Sequence, residues 1–412
     1  MSGAPIGARS IGTRVSNKAM LNTELLPDVQ AALNEAGVDG WLLYDFRGLN
    51  PIAGGLMQLD GMTTRRAFAW VPAHGTPVAI THAIEQGPWH RWPEGWTREI
   101  YASWKSLEGL LAKHVAGKKV AMEYSKGDAV PYLDRVPAGV IEMVREAGAT
   151  VVSSSELVSR FYATWNAEHI ASHQRAADQI ARIAKEALTL AGERSRGKEP
   201  LAEHEVMGWI QEQFKKNGLT TDHGPNVSAG ANAANPHYEP SGDAPRVIKP
   251  GETLLIDLWA REQNGGVWAD QTWMASLGKP SPEALEIWNT IRDARDAAIA
   301  LVRQKAKLGQ PVRGADVDDA ARRVIEEAGY GEYFTHRTGH SIDPRDLHGS
   351  GPHLDNLETR DERLLVPGVA FSIEPGIYIP GKIGMRTEVN VYMIPGEAVV
   401  TPPEYQKDLL IV

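Results

Sequence analysis

Two carboxylates, Asp257 and Asp270, stand in the stretch LLIDLWAREQNGGVWADQTW at 254–273. Apolar, strand-like arms flank Asn264-Gly265-Gly266. Asn-Gly between such arms is a strong hairpin signal, because a tight primed turn needs positive φ. With Asn264-Gly265 as the turn, Asp270 falls opposite Trp259 and diagonal to Asp257, on the same face. Diagonal neighbours lie about 7–8 Å apart, within reach of one bound ion or an ion pair. Two carboxylates on one face of a half-buried sheet repel each other, and desolvation adds to the cost. The stretch alone allows a solvent-facing Asp pair on a surface hairpin, or a cation site with further ligands elsewhere.

A second hairpin pattern, VAFSIEPGIYIPGKIGMRTEVNVYM, lies at 369–393. A three-residue loop at 380–382 places Glu374 directly opposite Glu388, again among Val, Ile, Phe and Tyr. Between the hairpins come His336, His340, His348 and His353, four of the 13 histidines in the chain. His340 follows Gly339, and a glycine there lets the backbone approach another element. His237 sits earlier, in a loop reading Asn235-Pro236-His237-Tyr238, where a lone histidine is ordinarily a loop residue. One imidazole with four carboxylates is a hard, oxygen-rich set. It suits two divalent ions bridged by carboxylates, about 3.5–4 Å apart. Manganese, cobalt, iron and zinc fit it; magnesium fits less well because of the imidazole.

These residues need a scaffold of some size. The chain has 412 residues, more than one ordinary core, so two domains are expected. A formal net charge of -9 argues against nucleic acid or an anionic membrane as a partner. The absence of cysteine excludes disulfides and thiolate metal sites. Residues 1–20 are small, polar and Gly-rich, and read as an arm without an apolar signal segment. No apolar run is long enough to span a bilayer, so a cytoplasmic location is expected by default.

Up to residue 162 the pattern alternates. Helices are expected at 25–37, 104–115 and 140–148, with strands at 40–44, 66–71, 77–80, 119–123 and 150–152, which together predict an α/β domain. No Gly-rich phosphate loop follows a strand there. Trp89, Trp92, Trp96 and Trp104 crowd one region, which reads as a loop packed by tryptophan or as an aromatic lid over a neighbour's site. From 163 to 412 the order is helix, helix, hairpin, helix, helix, hairpin, with helices at 167–193, 200–217, 282–307 and 315–328. That order predicts two pseudo-repeated halves feeding one curved sheet.

Asp257, Asp270, Gly339-His340, Glu374-Pro375-Gly376 and Arg386-Thr387-Glu388, in this order, resemble the pita-bread metallopeptidases, the methionine aminopeptidase and prolidase superfamily. The resemblance spans roughly 165–412. The preceding α/β segment is similar to that of the prolidase, aminopeptidase P and creatinase branch. The resemblance implies an α+β pita-bread catalytic domain with pseudo-repeated halves, behind a creatinase-like α/β domain. It implies two divalent ions, manganese foremost, held by Asp257, Asp270, His340, Glu374 and Glu388, with a hydroxide between them as nucleophile. Glu374 would move the proton; His237 and His348 would touch the substrate; His336 would line a proline pocket; Tyr378 and Arg386 would support the ligands. The implied substrates are dipeptides or short peptides with proline at the second position, and the implied assembly is a homodimer. The alternative is a metal-binding pita-bread protein without peptidase activity, or a hydrolase of another amide or a phosphoester.

Three departures from the family pattern stand out. The Asp257–Asp270 spacing is two residues longer than usual, the His340–His348 spacing one longer, and Val389 stands where an Asp is common.

Overall fold

The computed structural model describes residues 21–412; the N-terminal arm and the reading of its signal content lie outside the described residues. The first elements are α1 (Leu26–Glu35), β1 (Gly40–Phe46), α2 (Pro51–Met57), β2 (Arg66–Pro72), β3 (Val78–His82), β4 (Thr97–Tyr101), α3 (Trp104–Val115), β5 (Lys119–Met122), α4 (Ala138–Glu146), β6 (Thr150–Ser153) and α5 (Ser155–Phe161). They build one six-stranded sheet in the order β4-β3-β2-β1-β5-β6. β1, β2 and β3 run antiparallel, while β4, β5 and β6 each join a neighbour in parallel. Alternate side chains of β1 enter opposite cores. Trp41 and Leu43 pack with α1, α2 and α5, and Leu42 and Tyr44 pack with α3 and α4. β4, α2 and α5 were not legible, because each is short and two of them carry charged or small residues where a periodic apolar stripe would show.

In the tryptophan-rich stretch, Trp89 and Trp92 are buried and meet edge to face, with centroids 5.4 Å apart, so both belong to this chain's own core. Trp104 is the exposed one.

The rest of the chain forms α6 (Ala167–Ser195), α7 (Glu203–Lys216), β7 (Leu219–Thr220), β8 (Asn226–Ala229), β9 (Thr253–Glu262), β10 (Ala269–Ser276), α8 (Pro282–Leu308), α9 (Gly314–Glu327), β11 (Ala370–Ile373), β12 (Gly376–Ile379), β13 (Ile383–Arg386), β14 (Val389–Ile394), β15 (Glu397–Thr401) and β16 (Leu410–Ile411). Asn166 caps α6 by accepting the His169 N–H at 2.8 Å. The buried face of α6 is rich in alanine, including Ala176, Ala177, Ala184 and Ala187, which lets the helix lie close on β9 and β10. α8 starts at a Ser281 cap with Pro282 in its first turn and ends at Gly309, whose φ of 60° closes the left-handed cap. α8 and α9 pack with β11 to β15 in a separate core.

The single curved sheet expected here is three separate ladders: β16-β10-β9-β7 with β8 on β9, then β11-β14-β15, then β12-β13. The break between the last two falls at Glu374-Pro375 and Thr387-Glu388. Pro375 has no N–H to donate, and the two glutamates point inward there. Among the described residues, no helix is long and apolar enough to cross a membrane.

Candidate functional site

The first hairpin has the expected register. Asp270 faces Trp259 and Asp257 faces Thr272, which leaves the two carboxylates diagonal on one face. Its turn is wider than the two-residue one expected. Pairing with β10 ends at Ala260↔Ala269, and the end of β9 continues onto β7 through Leu219↔Glu262. Between the carboxylates, residues 261–268 lie beyond the last β9–β10 pair; Arg261 and Glu262 continue β9, and 263–268 make the turn. On its other edge β9 pairs β8, with Asn226 facing Asp257.

The second hairpin also keeps its expected register: Ile373 faces Val389 and Gly376 faces Arg386. Glu374 and Glu388 fall between those pairs, in the break of the ladder. Val389, where the family commonly has an acid, is buried in apolar packing.

His340 reaches the same place from a loop. A Cβ on Gly339 would collide with the Ser372 carbonyl oxygen, so this close approach requires glycine. Ser372 then accepts the His340 N–H at 2.9 Å and donates to Glu374 Oε1 at 2.9 Å. The His340 Nδ1–H points at the Ser341 carbonyl, 3.2 Å away, which leaves the Nε2 lone pair free. The long loop to His348 winds around the buried Asp343 carboxylate, which accepts the backbone N–H groups of Arg345, Asp346 and Ser350. Arg345 lies 4.4 Å over the Tyr162 ring, against the first sheet's helices. His348 returns beside His340, ring centroids 4.1 Å apart.

Asp270, His340 and Glu388 each offer a ligand atom, all within 4.8 Å of one another. His340 Nε2 lies 3.3 Å from Asp270 Oδ2 and 3.6 Å from Glu374 Oε1. Asp257 is held by an ion pair with Arg386. Burial raises the Asp257 carboxyl to about 7, against the lowering pull of Arg386, with Asp270 and Glu374 adding to the rise. Burial and then Glu374 push Asp270 up; burial and then Asp270 push Glu388 up. Burial also acts to raise Glu374, but His340, His336 and Arg386 outweigh it and hold this carboxyl low. His340 is itself lowered by burial, and His348 is lowered to about 3, first by His340 and then by desolvation inside the cleft.

The residues fit a bound divalent cation. Asp270 Oδ1 and Glu388 Oε1 are buried and accept no hydrogen bond, although buried carboxylate oxygens are normally partnered. The donors are four carboxylates and one imidazole with its lone pair turned inward, a set that needs positive charge among them.

Arg386 ties the hairpins together. Its Nε donates to Thr272 Oγ1 at 2.9 Å, and Thr272 donates to Glu388 Oε2 at 2.8 Å. Arg386 Nη1 also reaches the Tyr378 hydroxyl at 3.4 Å, which lies 2.8 Å from His336 Nε2. His336 Nδ1 lies 2.7 Å from the Arg337 carbonyl, so Nδ1 carries the proton and Tyr378 donates to Nε2. His237 is exposed on its loop, and its side chain makes no hydrogen bond or ion pair with this cluster among the described residues.

Three supporting residues escaped the sequence reading: Thr272, Ser372 and Asn390, the last accepting the Asp270 N–H at 2.9 Å. Each stands two positions from a carboxylate on the same strand face. The period of two would have found them.

Comparisons with known proteins agree with this geometry. The model of metallopeptidase family M24 matches residues 173–395. A Staphylococcus aureus protein described as an uncharacterised peptidase is 35% identical over 212 residues, 51% of this chain and 55% of its own length. A Xaa-Pro dipeptidase of Lactobacillus delbrueckii subsp. lactis is 37% identical over 191 residues, 46% of this chain and 47% of its own. The chain thus matches about half the length of these curated relatives. Among solved structures, dipeptidase PepE from Mycobacterium ulcerans aligns with a TM-score of 0.69 at 24% identity, covering 94% of this chain and 97% of that one. This likeness, nearly end to end, shows the fold: an α+β pita-bread domain behind an α/β domain.

Proposed function

Because this chain belongs to metallopeptidase family M24, we propose that it is a two-metal peptidase that cleaves the bond before proline in dipeptides or short peptides. The observation that carries this reading is the pair of orphaned, buried carboxylate oxygens on Asp270 and Glu388, set beside the free lone pair of His340. Asp257, Asp270, His340, Glu374 and Glu388 would hold the ions. When bound, two such ions acidify water and polarise the scissile carbonyl. We propose manganese as the native metal, with cobalt, iron and zinc the other ions that fit the ligand set. We also propose the boundary between the two domains near residue 162, just before α6.

The protein groups supply positioning and proton transfer. Glu374 is kept ionised by His340, His336 and Arg386, so it can take a proton from the attacking water and pass it to the leaving nitrogen. The bond before proline has no N–H, so recognition rests on the ring and the flanking charges. The neutral His336, fixed by Tyr378, would form one wall of the ring's pocket, and His348 would face the carbonyl from the open side of the cleft. His237 is assigned to the substrate's path into the site.

The test is proline release from Xaa-Pro dipeptides, beside a matched tripeptide, by protein shown to hold two metals. Release that depends on metal supports the reading. No release from fully loaded protein would leave the alternative, a metal-binding protein or a hydrolase of another bond.

We further propose a homodimer. Leu49, Met62 and Ile84 are 68, 80 and 69% exposed and follow β1, precede β2 and follow β3, so all three lie at one end of the first sheet. Such an apolar end suits a second copy. Light scattering should give twice the 45.0 kDa chain mass, and Met62→Asp with Ile84→Asp should halve it.

A further inference from the structure

Tyr132 lies in the loop between β5 and α4, in the part of the chain that builds the first sheet, yet it reaches the cluster's loop. Its ring is 4.1 Å from that of His353, and the Arg337 guanidinium stands 5.3 Å over it while Arg337 Nη2 donates to its hydroxyl at 3.0 Å. Arg337 forms no ion pair with a carboxylate among the described residues; Glu358 takes only its backbone N–H. His353 is fully buried. Its Nδ1 accepts the Ser341 N–H at 3.1 Å, so Nε2 carries the proton, and that donor has no partner. Ser341 follows His340 directly, and the charge of Arg337 is felt at His340, His348 and Glu374.

We propose that Tyr132 is a positioning residue of this site: it fixes the Arg337 guanidinium and the His353 ring, and so makes the substrate pocket depend on the first domain. A half-buried guanidinium with no carboxylate beside it has one strong bond to hold its direction, and that bond ends on Tyr132. Held there, its remaining donors are free for a negatively charged group of the substrate. The tilted Tyr132 ring packed against the imidazole of His353 holds it in place, and with it the Ser341 backbone that orients His340.

The inference rests on the peptidase reading for its kinetic test. Tyr132→Phe keeps the ring and removes the oxygen; Tyr132→Ala removes both. Both full-length chains, loaded with manganese, would be assayed on a Xaa-Pro dipeptide, with metal content and thermal unfolding measured alongside. Tyr132→Phe should raise KM about ten- to a hundredfold, the loss of one hydrogen bond to a charged group, with kcat nearly unchanged. Tyr132→Ala should raise KM further and also lower kcat. Folded, metal-loaded variants with the KM of the original chain overturn the inference. If the original chain releases no proline, the peptidase reading fails instead, and the imidazole 1H–15N spectrum decides the positioning role. There, Tyr132→Ala should shift the His353 signals and leave those of His173 in place; unmoved His353 signals overturn it.

Discussion

Glu374 differs from the other three acids of the cluster in a way that fits the proton-transfer role proposed for it. All four are withdrawn from water, but only Glu374 has two imidazoles and a guanidinium outweighing that withdrawal. A carboxylate that stays ionised while its neighbours tend to protonate is available in its basic form across the working pH range. Glu374→Gln should therefore lower kcat about 10²- to 10⁴-fold. Metal content separates loss of the base from loss of a ligand: a variant that keeps both ions and is still slow isolates the proton-transfer role, and one with full kcat removes it. The other acids give a pH prediction. Asp257 is raised from its ordinary 3.8 to about 7, and Asp270 and Glu388 are also raised. A raised folded-state pKa contributes stability below the ordinary value that is lost as pH rises through the folded value. The metal-free chain is thus penalised near neutrality, and bound cations, which need these groups deprotonated, lift that penalty. The rise in unfolding temperature on adding manganese should be larger at pH 7.5 than at pH 5. An equal rise at both would show that these carboxyls carry no such burden.

At the scale of elements, the two hairpins explain why so much of this site was legible. Parity fixes which face a strand residue takes, and the register expected for Asp257 with Asp270, and for Glu374 with Glu388, is the register observed. What parity cannot give is how a ladder ends. The wide first turn arises because Glu262 pairs with Leu219 instead of with the opposite arm, a contact between segments far apart in sequence. The split of the expected single sheet arises at Pro375, where a missing donor was visible but its consequence was not. The closing of the long His340–His348 loop depends on Asp343 and on Arg345 against Tyr162, and neither carries a local signature. Gly339 is the position where sequence and element meet most directly, since only glycine lets the loop touch β11. Gly339→Ala should push the loop away from Ser372, breaking the bonds of Ser372 to the His340 amide and to Glu374. We expect a destabilisation of about 1–3 kcal/mol from the forced overlap and a marked loss of metal affinity. Unfolding by denaturant and metal titration check the two effects; a variant with unchanged metal affinity would mean the loop tolerates the shift.

At the scale of the whole molecule, the two pseudo-repeated halves must stay in register for ligands from both to converge, and one buried imidazole bridges them. His173, on α6, has Nδ1 2.7 Å from the Trp268 carbonyl of the first hairpin and Nε2 2.7 Å from Thr401 Oγ1 on β15 of the second half. The carbonyl can only accept, so Nδ1 carries the proton, and Thr401 donates to Nε2. This arrangement uses the neutral ring, and burial lowers its pKa from 6.5 to about 4 in spite of the carbonyl. With a folded value below the unfolded one, the stability is present above pH 6.5 and is lost as pH falls toward 4, because the unfolded chain takes up a proton that the folded one refuses. The span corresponds to about 3 kcal/mol. Other groups titrate in the same window, so the informative quantity is the difference in unfolding free energy between the original chain and His173→Gln. That difference should favour the original chain at pH 7 and shrink by about 3 kcal/mol by pH 4. A difference that stays constant across this range would show that His173 only fills space between the halves, and that the clasp between them does not depend on its protonation.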